Sequence, residues 1–340
     1  MSFPLRRLPF VVLSILFSCL KPEELIRLSF LSKRCYTLTK ALRKKPKDPL
    51  RINLSPYASI GCSDRMNFEI VDYSENRKKS KLEILKIGKN SFFINQNSYF
   101  DILTIYCEND RIQEVLMTFG EYITDFFGIQ IEKVSFDGES SSCKIIDWLM
   151  TRQKILCEFE CEIIGDNELR YLLDHCKVSK KMELNVKTST TFRYTFREPL
   201  QLEHFELEGT PWPSINNLID INSRYLWMKD SNFTSENINF FLKNWLNGGN
   251  SKLGFLSIKM EKNVNEEILL EGLEVIQRRD VMIRYLMKRG GFFDFNSSYE
   301  LKRNDGTIAS LVINYNRSST DFLMFVWPDW QGKPYPRLAV

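Results

Sequence analysis

Histidine is nearly missing from this chain: 340 residues hold two, His175 and His204. Imidazole is the usual general base near neutral pH, so acid–base catalysis has few candidates. A glycine-rich phosphate loop, a Gly-x-Ser-x-Gly elbow and a His-Glu-x-x-His helix are also lacking, which removes the common signatures of nucleotide binding, acyl transfer and zinc hydrolysis. No apolar run approaches the roughly 18 residues of a membrane span, so the chain is expected to be soluble, without a membrane partner. A formal net charge of +4 is close to balance. The one basic run, Arg77-Lys78-Lys79-Ser80-Lys81, is too short for a phosphate-binding stripe and reads as a solvated loop, so no nucleic-acid partner is expected.

Cys-x-x-Cys is absent too, although the chain has 8 cysteines. Cys157, Phe159, Cys161 and Ile163 alternate with Glu158, Glu160 and Glu162, which puts both thiols on the buried face of one strand. Such spacing suits buried free thiols in a reducing compartment, the cytoplasm or nucleus, better than a metal site; no metal and no cofactor are expected. The Asn-x-Ser/Thr triplets at Asn53, Asn232, Asn296 and Asn316 are then chance matches.

What the chain does have begins within residues 1–48. Leu8, Val12, Leu13, Leu16 and Leu20 recur at helical spacing, while Phe10, Val11, Ile15 and Phe17 fill the other faces. A helix apolar nearly all round needs partners on two sides. A second helix opens at Pro22, with Glu23 and Glu24 in its first turn and Leu25, Leu28 and Leu31 along its buried edge. Ser32 reads as the N-cap of a third helix carrying Cys35, Leu38 and Leu42, closed by Arg43-Lys44-Lys45 and Pro46. Three helices this short bury too little surface to stand alone, and the leftover apolar face marks a protein contact.

Leu8-Pro9, Leu13, Ile15-Leu16, Leu20, Pro22-Glu23-Glu24-Leu25, Leu28-Ser29 and Leu31-Ser32-Lys33-Arg34 together resemble an F-box. The resemblance departs at Cys35-Tyr36, where many F-boxes have tryptophan, and at Phe10-Val11, where many have an acidic residue. It implies docking onto the small adaptor subunit of an SCF-type (cullin-RING) E3 ubiquitin ligase, and through it a cullin. The implied adaptor contacts are Leu8, Pro9, Val12, Leu13, Leu16, Leu20, Leu25 and Leu28. A rival reading takes Arg6-Arg7, the apolar stretch and Ser18-Cys19 as a secretory signal, leaving a secreted or ligase-independent leucine-rich-like interaction module. Pro9 sits badly in such a signal, and two further capped helices have no place in it.

Beyond the helices, pairs of apolar residues return at a nearly fixed interval: Val134/Phe136, Phe159/Cys161, Met182/Leu184, Phe205/Leu207, Leu226/Met228 and Leu256/Ile258. Their first members are 25, 23, 23, 21 and 30 residues apart, close to the roughly 20–29 residues of leucine-rich repeats. Helical segments are expected between them at Ile145–Met150, Asn167–Cys176, Ser214–Ile221 and Ser235–Leu246, with Thr188–Arg197 an irregular insertion. The alternation predicts stacked parallel strands with helices outside. Short strands are expected over Arg51–Leu54, Asn67–Val71, Leu82–Ile87, Ser91–Ile94 and Ile102–Tyr106. A sealing helix follows on Ile112, Leu116, Phe119, Ile123 and Phe126, stopped by Gly128. Near the end, Ile268, Leu269, Leu273 and Ile276 suggest a helix, followed by the apolar residues Met282, Ile283, Leu286 and Met287. Strands over Phe293–Arg303 and Thr307–Ile313 flank the turn Asn304-Asp305-Gly306, and Phe322–Trp327 pairs as a third.

The segment Thr234-Ser235-Glu236-Asn237-Ile238-Asn239-Phe240-Phe241-Leu242-Lys243-Asn244-Trp245 with Gly248, the run Leu301–Thr307, and Val326-Trp327-Pro328 resemble the type 2 F-box-associated domain of the expanded nematode F-box family. That likeness implies a leucine-rich-like module recognising a protein substrate, without naming it.

The fold class expected is α+β/α-β: a three-helix F-box (1–48), a β-rich cap with its sealing helix (49–130), degenerate leucine-rich-like repeats forming an irregular solenoid (131–290), and a C-terminal hairpin or meander (291–340). Outward strand residues Glu160, Glu183, Glu206, Trp227 and Lys259 are the candidate substrate contacts. The histidines read as surface or capping residues, and Glu158, Glu160 and Glu162 as a solvated strand face. The rings of Phe192, Tyr194 and Phe196 beside Arg197 read as an insertion contacting a protein, since no basic groove surrounds them to hold single-stranded nucleic acid.

Overall fold

A computed structural model describes residues 8–54, 58–63, 66–73, 82–87, 89–97, 102–136, 143–288, 291–315 and 320–336. Arg6-Arg7, the basic run 77–81, Gly290 and the Asn316 triplet lie outside these residues. The chain divides into two compact units, Met1–Leu156 and Cys157–Val340.

The first unit opens with α1 (Phe10–Cys19), α2 (Pro22–Phe30) and α3 (Lys33–Leu42). Local chemistry sets their ends as expected. Glu24 accepts the Lys21 backbone N–H at 2.7 Å ahead of Pro22, and the Ser32 hydroxyl accepts the Cys35 N–H at 3.1 Å. Seven strands follow among the described residues: β1 (Leu50–Leu54), β2 (Ala58–Ser63), β3 (Met66–Asp72), β4 (Glu83–Ile87), β5 (Asn90–Asn97), β6 (Ile102–Cys107) and β7 (Ile131–Phe136), in the spatial order β7-β1-β2-β3-β6-β5-β4. Six fall where strands were expected, β7 through its Val134/Phe136 pair. β2 was not foreseen: buried Ala58, Ile60 and Cys62 do alternate with Ser59 and Gly61, but Ile60 is the one strongly strand-favouring residue among small ones.

The sealing helix, α4 (Ile112–Phe127), buries Val115, Leu116, Phe119, Ile123 and Phe126 against this sheet, with the Phe119 ring 6.1 Å from Phe68 and 5.1 Å from Phe92. Gly128 ends it at φ +63°, a left-handed conformation that a side chain disfavours. α5 (Cys143–Arg152) crosses it where Gly120 leaves room: a Cβ there would lie 2.6 Å from the Trp148 ring.

The second unit holds β8 (Leu156–Ile164), α6 (Asp166–His175), β9 (Val178–Lys187), β10 (Leu200–Gly209), α7 (Ile215–Asp220), β11 (Ile221–Met228), α8 (Ser235–Leu246), β12 (Phe255–Lys259), α9 (Glu266–Leu270), β13 (Val275–Leu286), β14 (Phe292–Lys302), β15 (Ile308–Ile313) and β16 (Asp321–Val326). Its strand order is β13-β14-β15-β16-β12-β11-β10-β9-β8, with β9 to β12 parallel and β12 to β13 joined antiparallel through the meander. The four spaced apolar pairs on β9 to β12 fall directly opposite one another. Met182, Phe205, Leu226 and Leu256 form one row across four strands, and Leu184, Leu207, Met228 and Ile258 the next. All eight are buried. α8 starts as expected, with the Thr234 hydroxyl accepting the Asn237 N–H at 3.4 Å, and stops before Gly248 at φ +95°.

One segment departs from expectation. The helix suggested by Ile268, Leu269, Leu273 and Ile276 shrinks to the five residues of α9, and Val275–Leu286 is a strand along the edge. A register shift between Arg279 and Ile283, with Asp280 at φ +60°, breaks the period-two alternation in mid-strand and hides it from a pattern reading.

Phe205 is fully buried in the middle of the parallel rows. Phe205→Ala is expected to cost the second unit about 3–5 kcal/mol. Phe240→Ala, at a ring 53% exposed on α8, is expected to cost about 0.5 kcal/mol or less. Denaturant unfolding of the two variants against the parent checks the contrast.

Candidate docking and recognition surfaces

α1 has two flanks of opposite fate. Leu13 and Phe17 turn inward, 6% and 1% exposed, while Phe10, Val11, Val12 and Ile15 stand 65, 68, 42 and 61% exposed. Leu31, just past α2, is 71% exposed. Four large apolar side chains along ten residues of helix make an uncovered hydrophobic flank. The residues implied as adaptor contacts divide accordingly. Pro9 and Val12 are exposed, Leu8, Leu16, Leu20 and Leu28 are half-buried, and Leu13 and Leu25 are interior.

The opposite side of the trio is clasped by α4. The Ser29 and Tyr122 hydroxyls share a hydrogen bond at 2.6 Å; Phe30 and Tyr36 lie 5.0 and 5.5 Å from the Tyr122 ring, and Tyr36 lies 5.6 Å from Phe126. Burial pushes the Tyr122 phenol up to about 12, with the Ser29 bond opposing the rise. Tyr36, one of the two residues standing where many F-boxes carry tryptophan, thus serves the clasp. After α3, the Arg43 guanidinium lies 5.9 Å over the Phe126 ring and Lys45 donates to the Gly128 carbonyl at 3.1 Å, tying the basic junction to the end of α4.

In the second unit the outward face of β8 to β11 carries a ladder of charge. Lys181 bridges Glu160 and Glu183, both at 2.7 Å; His204 Nε2 lies 3.3 Å from Glu183 Oε1 and 3.3 Å from Glu206 Oε2; Lys229 bridges Glu206 at 2.6 Å and Glu208 at 2.9 Å. His204 is therefore half-buried inside a network and not the surface residue expected of it; its neighbours on β9 and β11 are remote in sequence. Burial alone would lower its pKa, but the two carboxylates outweigh that and raise it. Glu206 is held down to about 2, chiefly by the His204 hydrogen bond and then by Lys229. Burial opposes ionisation of Glu183, yet bonds from His204 and Lys181 hold it down to about 2 as well.

The structure brings the candidate substrate residues together in part. Glu183, Glu206 and Trp227 stand in one cross-strand row that continues to Ser257, and Glu160 joins through Lys181. Exposed Lys259 lies two residues beyond Ser257. Trp227 marks a border: its ring is 4.7 Å from Phe255 and 6.3 Å from Phe293. There Tyr225, Phe255, Tyr285, Phe295 and Phe325 cluster under the meander and cover the same face, so what stays open is the charged part on β8 to β10.

Other candidates resolve into structure. Phe192, Tyr194 and Phe196 are 3, 8 and 8% exposed around Trp212, so the insertion offers no rings to a partner or to bases. His175 ends α6 as expected, its Nδ1 2.8 Å from the Tyr171 carbonyl. All eight cysteines are free; Cys161 is buried, which pushes its thiol well up, whereas Cys157, on the same side of β8 near its start, is only half-buried. Among the described residues no helix is long and apolar enough to cross a membrane.

Comparison with known proteins finds the F-box domain model over residues 5–47 and the F-box-associated model over residues 196–258. An uncharacterized Caenorhabditis elegans protein is 24% identical over 344 residues, covering 96% of this chain and 79% of its own. The Skn-1 dependent zygotic transcript 15 protein of the same organism is 21% identical over 345 residues, covering 95% and 96%. The C. elegans E3 ubiquitin-protein ligase hecw-1 is 28% identical over 80 residues, 24% of this chain and 6% of that protein. No solved structure matches.

Ring packing and the single hydroxyl bond of the clasp separate by mutation. Tyr122→Phe is expected to cost about 1 kcal/mol. Tyr122→Ala is expected to cost about 3 kcal/mol or more and to speed amide exchange throughout residues 22–42. Denaturant titration with hydrogen-exchange mass spectrometry reads both.

Proposed function

We propose that this chain, which carries an F-box domain at its N-terminus and an F-box-associated segment in its second half, is the substrate-recognition subunit of an SCF-type E3 ubiquitin ligase. The observation that carries the reading is the bare flank of α1, with Phe10, Val11, Val12 and Ile15 in solvent on a trio already clasped from its other side. Covering that flank with the adaptor subunit removes apolar surface from water, at about 25 cal/mol per Å². Pro9, Val12 and the half-buried Leu8, Leu16, Leu20 and Leu28 then meet the adaptor, and Leu13 and Leu25 hold the helices that present them.

In this role the subunit makes and breaks no bonds. It raises the effective concentration of a bound protein near the ubiquitin-charged enzyme that the cullin recruits. Residues 49–130 act as a cap, 131–290 as a short leucine-rich-like arc, and 291–340 as the closing meander. The open face bearing Glu160, Glu183 and Glu206, bordered by Trp227 and Lys259, is where the substrate binds. The in-register apolar rows support the arc, because they free the opposite face of the same strands for contact.

Val12→Asp and Ile15→Asp, both on the exposed flank, are expected to abolish co-purification with the adaptor subunit while leaving the unfolding transition within about 0.5 kcal/mol of the parent. Leu13→Asp, in the interior, is expected to unfold the trio. Undiminished adaptor recovery with the two exposed variants would contradict the assignment.

A further inference from the structure

We propose that Glu183, His204 and Glu206 form a binding site for one divalent transition-metal ion, zinc being the best fit, on the open face of the second unit. The three side chains come from neighbouring parallel strands, Glu183 from β9 and the other two from β10, and their ligand atoms all lie within 4.8 Å of one another. The imidazole Nε2 is 3.3 Å from an oxygen of each carboxylate. Ligands held about 2.0–2.1 Å from a tetrahedral zinc ion are separated by about 3.3 Å, so His204 already stands at coordination spacing from both partners. One imidazole and two carboxylates form a donor set that zinc accepts, and three protein ligands leave the fourth position to water or to a donor from a bound chain.

Charge points the same way. Glu160, Glu183, Glu206 and Glu208 face the two ammonium groups of Lys181 and Lys229. With the His204 imidazole neutral, as a metal ligand must be, the surplus of two negative charges is what one divalent cation neutralises. Glu206 can meet the metal through Oε2, because Lys229 is held by its other oxygen, Oε1. Lys181, 9% exposed and bound to Glu160 as well as Glu183, holds Glu183 by Oε1, the same oxygen that faces His204, so the ammonium shares this ligand atom with the metal. Competing donors lie elsewhere: the chain's thiols are spread over eight positions, none of them among these three ligands.

Isothermal titration of the full-length chain with zinc chloride at pH 8, with cobalt(II) absorption alongside, tests the site. Expected is one equivalent of zinc bound, a rise in melting temperature on loading, and cobalt d–d bands without the strong near-ultraviolet thiolate band. In His204→Gln and Glu206→Gln the affinity falls by more than about tenfold, while Glu198→Gln, at an exposed residue outside the network, binds as the parent does. Circular dichroism of the metal-free variants checks that they fold. No zinc binding by the parent, thiolate absorption in the cobalt form, or affinity unchanged in a folded His204→Gln variant would each overturn the proposal.

Discussion

The aromatic clasp between the helical trio and α4 decides what the N-terminal helices can do. Phe30, Tyr36, Tyr122 and Phe126 are each within 6.3 Å of another ring of the group, and a hydroxyl bond shared with Ser29 orients Tyr122. A buried ring removes about 150–250 Å² from water, worth about 4–6 kcal/mol as an upper figure. The hydroxyl bond adds about 1 kcal/mol. Packing therefore holds the trio and the hydrogen bond sets its orientation. With α2 and α3 packed on α4, and Leu13 and Phe17 of α1 turned inward, the outer flank of α1 stays exposed among the described residues. That bare apolar flank is the observation on which the proposed adaptor contact rests.

In the second unit, one face of the parallel strands is spent on apolar rows beneath the helices, and the other is divided. Near β11 and β12 the meander lays Tyr285, Phe295 and Phe325 across Tyr225 and Phe255, and the Tyr285 hydroxyl donates to the Gly254 carbonyl at 2.8 Å. From β8 to β10 the same face stays open and charged. Acidic and basic groups alternate there across strands about 20 residues apart in sequence, which keeps half-buried charges partnered.

Much of this was legible from residue order alone, where the determining physics is local. Ser32 and Thr234 announce helix starts by their hydroxyls, Gly128 a helix stop by its φ, and Asn304-Asp305-Gly306 a hairpin. The apolar pairs predicted stacked parallel strands, and the structure adds that equivalent positions align, with Phe205 beside Leu226. What was not legible depends on partners distant in sequence. His204 read as a surface residue because Glu183 and Lys181 lie on another strand, and Tyr36 read as a departure from the F-box pattern because Tyr122 is 86 positions away. β13 was lost to its bulge, and Leu13 and Val12 could not be separated into core and surface on a helix apolar nearly all round.

Hydrogen exchange of the full chain, alone and saturated with the adaptor subunit, asks most directly whether the bare flank is a docking surface. Amides of residues 10–20 are expected to slow on adding the adaptor, with residues 112–127 and the strands from 200 to 258 unchanged. Protection that leaves residues 10–20 unaffected, or that appears in the second unit instead, would contradict the account.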